Sequence, residues 1–351
     1  MFKAEELFKN ITDKNHPTET VLTIIQGKGT LPREQAGRNI HYDDASLSNY
    51  KKVEQGDYII HLRSFEGGLE MANEDGIVSP AYTILRCKKP HSSLFYEAYF
   101  HTDEFINHVL SKSVEGIRDG RQISYEAFKW LGLPYCNVSE QEKIAQLFYT
   151  LNYRIEKQQQ VVDALKKYKR GAISHILSGK SEATWTERTL AELCCEFRSG
   201  RNISATLIHE TGDYPVYGGN GIRGYCGQYS HDGEYVVVGR QGALCGNVRL
   251  IQGKNYLSEH AIAVRANEEN ETKFLLYLLD YMKLGQYSDQ GAQPGLAVNK
   301  LLRLKCTVPD KKTQSKIASF LMRLDSQISS QERMLALLIS QRRAFLQQLF
   351  I

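Results

Sequence analysis

Two glycine-rich stretches in the second half of the chain have residue types that could do chemistry. The first, GNGIRG at 219–224, satisfies the G-x-G-x-x-G pattern of dinucleotide-binding loops. Such a loop must close a buried strand and open a helix. The residues that follow, YCGQYSHDG, are rich in turn formers and carry no helical period. The context therefore predicts a glycine-rich hairpin or loop rather than a nucleotide site.

The second stretch, GRQGALCGN at 239–247, combines glycines with polar side chains. Glycine adopts positive φ without steric cost and lets a backbone approach another group closely. Arg240, Gln241 and Asn247 offer hydrogen-bond donors. Two interpretations stay open: a bulged hairpin whose polar tip is solvated, or a loop that approaches a ligand.

Catalytic motifs are otherwise missing from the sequence. It has no Walker A loop, no H-E-x-x-H, no G-x-S-x-G, and no Asn or Asp before a Pro-Pro-aromatic triplet such as adenine methyltransferases carry. Glu259 adjoins His260, but adjacent residues of a strand point to opposite faces, so we expect these two side chains not to meet. The seven cysteines form no C-x-x-C pair. These features predict a binding protein that is not an enzyme and holds no metal.

Composition sets looser bounds on the class of protein. A net charge of +4 and a pI near 8.5 permit a nucleic-acid partner without indicating one. The hydrophobic fraction of 42% suffices for folded cores. The first residues, MFKAEELFKN, are charged and amphipathic, and no run of 18 apolar residues occurs in the chain. We therefore expect a cytoplasmic protein with reduced cysteines and no membrane contact.

The chain repeats itself at an offset close to half its length. QEKIA at 141–145 returns 173 residues later as QSKIA at 314–318. The register then continues without a gap, so that Leu151 corresponds to Leu324 and so on to the end of the chain. A match of this length predicts an internal duplication.

Both repeats carry apolar residues that step alternately by four and by three, which is the seam of a coiled coil. We expect each repeat to form one continuous helix of about 50 Å, at 1.5 Å of rise per residue. The predicted seam residues are Ile144, Phe148, Leu151, Ile155, Gln158, Val162 and Leu165 in the first repeat and Ile317, Leu321, Leu324, Ile328, Gln331, Leu335 and Leu338 in the second. An amphipathic helix on its own domain is the alternative, but a 3.5-residue spacing held this long favours a two-helix seam.

The ends and the direction of these helices can also be predicted. Ser139 with Glu142 forms a capping box at the start of the first helix, and Asp310 or Thr313 is expected to cap the second. The simplest way for each helix to bury its apolar seam is to pair with the other helix. If they pair antiparallel, the seam glutamines of the two repeats fall within about one layer of each other, where a polar pair can fix the register.

Weaker sequence similarities extend the repeat to whole domains. GDYIIHLR at 56–63 corresponds to GEYVVVGR at 233–240, and IVSPAYTILR at 77–86 to YLSEHAIAVR at 256–265. Each pair of β-type runs is followed by a helical stretch. We therefore predict an α+β fold in which two α/β globular domains are separated by two long helices that pair as an antiparallel coiled coil, with a pseudo-two-fold internal repeat. The expected bounds are 1–135 and 181–308 for the domains, and 136–180 and 309–351 for the helices.

The sequence resembles a known family at these helices and domains. LPYCNVSEQEKIAQLFYTLNYRIEKQQQVVDALKKYKRGAISHILSG at 133–179 and VPDKKTQSKIASFLMRLDSQISSQERMLALLISQRRAFLQQLF at 308–350 look like the two conserved regions of the specificity subunit of type I restriction-modification enzymes. WTERTLAELCCEFRSGRN at 185–202 resembles the start of a target recognition domain of that family, and DYIIHLRSFEGG at 57–68 with GIVSPAYTILR at 76–86 resembles another. The resemblance covers essentially the whole chain.

The resemblance implies a DNA-reading scaffold rather than an enzyme. Each target recognition domain would read one half of a bipartite site in double-stranded DNA, and the paired helices would set the gap between the halves. Such subunits hold two adenine methyltransferase subunits and can recruit restriction subunits. S-adenosylmethionine is used by the methyltransferase partner, so the resemblance implies no cofactor bound by this chain itself.

DNA reading of this kind would need particular side chains on each domain. Arg reads guanine, Asn or Gln reads adenine, and Lys or Arg contacts phosphates. The candidates are Lys28, Arg33, Arg38, Arg63, Ser64, Arg121 and Gln122 in the first domain, and Arg201, Tyr217, Asn220, Arg223, Arg240, Gln241, Asn247, His260 and Gln293 in the second. For each of them a solvated loop position is the alternative. A second class of function also stays open, a tandem-domain scaffold that binds a protein or glycan partner through the same coiled-coil spacer.

Overall fold

The computed structural model describes residues 1–36, 44–116, 122–178, 185–242, 244–289 and 295–350. Its contacts divide the chain into two compact units, Met1–Gln159 with Arg333–Ile351 and Gln160–Glu332. Each unit therefore combines one globular domain with a part of each long helix.

The globular domain of the first unit is built around an antiparallel sheet. Among the residues that the structure describes, four strands lie in the order Phe8–Ile11, Thr83–Cys87, Tyr58–Ile60 and Glu70–Met71. Smaller strand pairs are Phe2–Lys3 with Gly132–Leu133, Leu22–Ile25 with Gly29–Pro32, Lys51–Val53 with Gly76–Val78, and Val114–Glu115 with Gln122–Ile123. The helices are Ala4–Leu7, Ser64–Gly67, Ser93–Phe100 and Tyr125–Phe128, with a π-helical turn at Glu104–Val109 and 3₁₀ turns at Arg33–Ala36, Asp44–Asn49 and Leu110–Ser113.

Aromatic rings fill the core between this sheet and the helix Ser93–Phe100. Tyr96 and Phe100 lie four residues apart, so they share the helix face that meets the sheet. Tyr58 packs edge-on against Phe100 at 5.1 Å and against Phe8 at 5.7 Å between ring centroids, the arrangement that ring quadrupoles favour. The hydroxyl of Tyr58 donates to the Ser93 carbonyl at 2.5 Å, so burial leaves that group satisfied.

The globular domain of the second unit repeats this architecture. In its described part, four strands lie in the order Cys194–Ser199, Ala261–Ala266, Tyr235–Gly239 and Val248–Ile251. A second sheet holds Gly221–Cys226, Tyr214–Gly218, Lys254–Leu257 and His231–Asp232, and Thr186–Thr189 pairs with Lys305–Val308. The helices are Leu190–Leu193, Thr272–Tyr281 and Val298–Leu301, with 3₁₀ turns at Ala205–Leu207 and Leu284–Tyr287.

The two domains share one connectivity, which confirms the predicted internal repeat. In each central sheet the first strand pairs with the last, the last with the second, and the second with the third. A four-residue helix precedes the first strand in both domains, and in each the third helical residue, Glu6 or Glu192, accepts the backbone N–H of the residue before the helix, at 3.0 Å and 2.6 Å. Tyr58 and Tyr235 each open the second strand of their sheet, as the sequence alignment of the two halves predicts.

The two predicted long helices run over Val138–Leu177 and Lys311–Leu349. They have 40 and 39 residues. At 1.5 Å per residue each is about 60 Å long. The predicted capping box of Ser139 with Glu142 is wrong, because the helix begins at Val138 and Asn137, two residues before Ser139, accepts the Glu140 N–H at 2.9 Å. Asp310 caps the second helix as predicted, accepting the Thr313 N–H at 3.0 Å, and this bond holds the pKa of Asp310 below its usual value.

The long helices pair antiparallel, as is visible within each unit separately. In the first unit Phe148, near the start of the first long helix, stacks on Phe350, beyond the end of the second, with 5.9 Å between ring centroids. In the second unit Ile173 and Leu177, from the end of the first long helix, share a core with Leu321, from the start of the second. The beginning of one helix thus meets the end of the other in both units, and the predicted direction is confirmed.

The predicted seam is the covered face of both helices. All fourteen predicted residues are buried or half-buried, including the two glutamines Gln158 and Gln331. The spacing changes only near the ends. There Leu346 and Phe350 are buried while Leu349 is 42% exposed, because the last turn packs into the core of the first domain, where Phe350 also stacks on Phe148.

Polar contacts fix the helix pair to the second domain. Lys169 of the first long helix forms an ion pair with Asp325 of the second, and Lys166 pairs with Glu332 at 2.7 Å. The Tyr277 hydroxyl donates to the other Asp325 oxygen at 2.7 Å, and burial together with this carboxylate raises the pKa of Tyr277. The domain helix Thr272–Tyr281 is therefore tied to both long helices.

The repeated glutamine of QEKIA and QSKIA has the same structural role in both units. Gln141 is fully buried, accepts the N–H of Ser92 at 3.0 Å and donates to the Cys136 carbonyl at 2.8 Å. Gln314 is 1% exposed, accepts the N–H of Glu271 at 3.0 Å and donates to the Pro309 carbonyl at 2.9 Å. Ser92 and Glu271 are the N-cap residues of the corresponding domain helices. Each glutamine therefore joins a long helix to the start of a domain helix.

Candidate nucleic-acid interface

The GNGIRG stretch forms a β-hairpin, as its sequence context predicts. The strands Tyr214–Gly218 and Gly221–Cys226 are antiparallel and are joined at Gly219–Asn220. Val216 pairs with Gly224 and Tyr217 pairs with Ile222, so Arg223 is the extra residue of a β-bulge. A bulge turns a side chain out of the regular alternation, and Arg223 is exposed. A Cβ on Gly218 would lie 2.5 Å from the arginine Cδ, so this glycine leaves room for the Arg223 side chain.

Glycines let the second candidate loop touch this hairpin closely. A Cβ on Gly219 would lie 2.5 Å from the Gln241 carbonyl and 3.2 Å from that of His260. A Cβ on Gly239 would lie 2.3 Å from the Gly219 carbonyl. Such distances exclude any larger residue without movement of the backbone. The close approach expected of GRQGALCGN is therefore made to the protein's own hairpin, and it brings three candidate segments together.

Arg240 serves in part as an internal connector. Its N–H donates to the His260 carbonyl at 2.9 Å, and its guanidinium reaches the carbonyls of Glu259 at 3.3 Å and Leu296 at 3.4 Å. Because these bonds are long, they leave the half-buried guanidinium with donor capacity on its solvent side. The candidate role of Arg240 in DNA reading thus coincides with a role in holding neighbouring loops.

The expectation that Glu259 and His260 do not meet is wrong. The strand Lys254–Leu257 ends before them, and the chain turns at 259–260, so the alternation of strand side chains no longer applies. Glu259 Oε1 lies 3.1 Å from His260 Nε2, and the other ring nitrogen lies 2.5 Å from Gln241 Oε1. Three polar side chains therefore form one row beside the hairpin.

A small cleft of about 170 Å³ opens beside the hairpin tip. It is lined by two predicted candidates on the hairpin, Tyr217 and Asn220, by the candidate Asn247, and by Arg249. The Arg249 guanidinium approaches Gly221 at the tip, within 3.4 to 3.6 Å of where a Cβ would stand. Sequence reasoning missed Arg249. The signal in the sequence was an arginine two residues after the candidate Asn247, and the structure shows that it is exposed on the strand Val248–Ile251.

Arg201 lies close to the same group of loops. It forms an isolated bridge with Ser258, and its N–H donates to the Leu257 carbonyl at 2.8 Å. The side chain of Arg201 is exposed. The structure thus brings together the described candidates of the second domain, namely Arg201, Tyr217, Asn220, Arg223, Arg240, Gln241, Asn247 and His260. The candidate Gln293 lies outside the described residues.

In the first domain, a hairpin tip presents Lys28. The strands Leu22–Ile25 and Gly29–Pro32 form the hairpin, and Gly27 and Gly29 take positive φ at its tip. The carboxylate of Glu70, which is fully buried, accepts the N–H groups of Gly27 at 2.7 Å and Gly29 at 2.9 Å. The exposed Lys28 stands between these two anchored residues.

The buried Glu70 carboxylate is charged because of its partners. Burial alone would raise its pKa, but hydrogen bonds from His101, 3.2 Å away, and from the two tip N–H groups hold the pKa of Glu70 below its usual value. Burial opposes charge on His101 as well, yet Glu70 holds the pKa of His101 above its usual value. The tip of the hairpin is thus fixed by a buried ion pair.

The other candidates of the first domain have different surroundings. The Gln26 side chain at the tip lies against Gly67, and the helix Ser64–Gly67 in turn contacts the strand that carries the exposed Gln122. Arg63 is exposed and pairs with Glu66 at 2.6 Å. Ser64 is fully buried, and its hydroxyl accepts the His61 N–H at 2.9 Å, so its position serves the fold and not a ligand. The guanidinium carbon of Arg33 lies 5.9 Å from the ring centroid of Tyr50. Arg38 and Arg121 lie outside the described residues.

The described residues contain no cluster of three or more His, Cys, Asp or Glu side chains that could hold a metal ion. Within the same part of the chain, no helix has the length and apolar character that crossing a membrane requires. The polar groups on the two domains include arginines, amides and one lysine on loops and hairpin tips. Such groups can contact phosphates and base edges.

Comparison with known proteins finds sequence matches to the second half of the chain. Residues 182–338 match the family model described as "Type I restriction modification DNA specificity domain". The type I restriction enzyme EcoprrI specificity subunit from Escherichia coli is 43% identical over 155 residues, which are 43% of this chain. The match spans 38% of the length of that relative.

Solved structures match over the whole chain. The S subunit of a type I restriction-modification system from M. genitalium superimposes with a TM-score of 0.68 at 17% identity, over 100% of this chain and 95% of that one. The HsdS subunit from Thermoanaerobacter tengcongensis gives 0.50 at 15% identity, over 99% and 95%. At these identities the likeness is one of fold. The predicted fold class and the resemblance read from the sequence are both confirmed.

Proposed function

We propose that this chain, whose residues 182–338 match the family model of type I restriction modification DNA specificity domains, is the DNA-reading subunit of a type I restriction-modification complex. In this proposal the chain supplies sequence recognition and no catalytic group. Adenine methylation is carried out by partner methyltransferase subunits that use S-adenosylmethionine. Its place of action is the cytoplasm, where the DNA is.

The observation that carries the proposal is one sheet connectivity used twice with different residues at the tips. The first domain presents Lys28 and Gln122, whereas the second presents Arg223, Gln241 and Asn247. Two domains of one architecture with unlike polar tips are suited to read two unlike base sequences. We therefore propose a bipartite site, with one half read by each domain.

The long helices would then set the unread gap and hold the methyltransferases. An antiparallel pair has a fixed register, so the number of residues between the domains fixes a spacing. Large apolar side chains remain exposed on these helices in the single chain, among them Tyr149, Tyr168 and Leu337, which are 58%, 58% and 66% exposed. Exposed apolar surface of this kind marks a protein contact. We assign it to the two methyltransferase subunits, with restriction subunits as further partners.

Salt dependence of duplex binding tests the DNA-reading role against the scaffold alternative. We expect the chain with its methyltransferase partners to bind duplex DNA with a log affinity that falls linearly with log salt, by about 0.9 for each phosphate contacted. Fluorescence anisotropy with a labelled duplex across a salt series measures the slope. A scaffold for a protein or glycan partner would give no duplex binding or a flat line. Added duplex without a label serves as the competition control.

A further inference from the structure

The row of Glu259, His260 and Gln241 has a fixed geometry. His260 Nε2 faces a Glu259 carboxylate oxygen at 3.1 Å, and Nδ1 faces Gln241 Oε1 at 2.5 Å. The backbone beneath the row is held by the Arg240 N–H, which donates to the His260 carbonyl at 2.9 Å. Gly219 also lies against the carbonyls of Gln241 and His260. Gln241 itself is exposed at the edge of this row.

Hydrogen-bond chemistry links the histidine proton to the orientation of the amide. A carboxylate only accepts, so the ring nitrogen that faces Glu259 must carry a hydrogen. The other nitrogen, Nδ1, is then the variable one. When Nδ1 is protonated it donates to the Gln241 oxygen, and the amide NH₂ faces solvent. When Nδ1 is bare it accepts, so the amide turns its NH₂ inward and presents its oxygen to solvent.

We propose that His260 is a positioning residue that sets the amide orientation of Gln241, and thereby the base preference at the DNA position that Gln241 reads. This rests on the proposed function in one respect, namely that the second domain reads base edges. An outward NH₂ selects acceptors in the major groove, which are N7 and O6 of guanine, N7 of adenine and O4 of thymine. An outward oxygen selects donors, which are N4 of cytosine and N6 of adenine.

Charged groups of both signs lie near the row. Glu259 is on the same turn, Arg240 contacts the Glu259 carbonyl, Arg201 bridges to Ser258, and Arg223 lies on the hairpin beside Gly218. The described part of the loop at Gly295 and Leu296 adds no charge. Because imidazole is the side chain that ordinarily titrates nearest neutrality, pH is the variable that tests the link between ring and amide.

The test is a base-preference measurement on the assembled complex with methyltransferase partners. A duplex library randomised at each position of the site is selected for binding at about pH 6 and about pH 8, on either side of the range in which histidine titrates. At the position read by Gln241, we expect the ratio of guanine and thymine, which offer acceptors, to cytosine, which offers a donor, to fall about tenfold from about pH 6 to about pH 8. Positions read by the first domain are the internal control and should keep their preferences.

Two variants separate positioning from a structural role. His260→Ala should remove the pH dependence at that position and weaken its preference, while Gln241→Glu, which can only accept, should show the high-pH preference at both pH values. An unchanged pH response in His260→Ala would overturn the inference, as would a wild-type preference that does not vary with pH. Absence of any base preference in the wild-type complex would instead overturn the proposed function itself.

Discussion

Replacement of Gln314 by Leu is expected to lower the free energy of unfolding of the second unit by about 3 kcal/mol, since two or more buried polar groups lose their partners at about 1–3 kcal/mol each. The side chain accepts from the Glu271 N–H and donates to the Pro309 carbonyl and to Asn270 Oδ1, the last at 2.8 Å. Leucine has a similar volume and keeps the packing, so the loss isolates these bonds.

Gln327 offers the matched control, because it lies on the same long helix but is exposed. Gln327→Leu should change the stability by no more than about 0.5 kcal/mol. Urea unfolding measures the size of the change in stability. Amide exchange at Glu271 in the native state shows whether the change is located at the start of the domain helix. Equal stability of the two variants would mean that the buried glutamine does not join the long helix to the domain helix. Gln141→Leu should repeat the result in the first unit.

Replacement of Glu70 by Gln is expected to loosen the Lys28 hairpin tip and to cost about 3 kcal/mol near pH 6, the order expected for breaking a buried ion pair. Glutamine can accept one tip N–H, but its NH₂ cannot accept the other, and His101 loses its counter-charge. Amide exchange at Gly27 and Gly29 should rise, and affinity for the half-site that we propose the first domain reads should fall. Glu74→Gln is the control, since Glu74 is exposed three residues beyond the strand end at Met71.

The pH dependence of this effect follows from the directions of the two pKa shifts. Because the pKa of Glu70 is lowered on folding, its contribution to stability is present at pH values above the ordinary carboxyl range. This contribution is lost as pH falls through the folded-state pKa of Glu70. The raised pKa of His101 means that its contribution is present below the ordinary imidazole range and is lost as pH rises through the folded-state pKa. The difference in free energy of unfolding between wild type and Glu70→Gln should therefore be largest between the folded-state pKa of Glu70 and that of His101. It should become smaller at lower pH and at higher pH. A difference independent of pH would show that the ion pair does not stabilise the tip.

The repeat, the helix seam and the direction of the helices could be predicted from the sequence because each depends on periodicity. Residues such as Leu151 and Leu324 recur at a fixed offset and at seam spacing, and burial follows from that pattern. Gln141 and Gln314 belong to the repeated motif QEKIA and QSKIA, but the sequence did not indicate their structural role. Their partners, Ser92 and Glu271, are more than 40 residues away in sequence, and only the folded chain brings them together.

The candidate site could be predicted in residue types but not in arrangement. Polar residues beside glycines indicated loops, yet Ser64 is buried, and Glu259 meets His260 because the strand ends before the pattern suggests. Arg249 and Glu70 were missed because both lie in strands, where local sequence does not tell a surface position from a buried one. Which side chains reach a base depends on bulges and turns, such as the bulge at Arg223, and these are set by cross-strand register.

The proposed DNA-reading role is tested most directly by the methylated motif in DNA from cells that express this chain with the proposed methyltransferase partner. Long-read sequencing that detects methyladenine identifies the motif with no assumption about its bases. We predict a bipartite motif with two specified halves, a gap of constant length, and a change confined to one half when Lys28 or Arg223 is replaced by Ala. A single contiguous motif, a variable gap, or methylation unaffected by removal of this chain would contradict it.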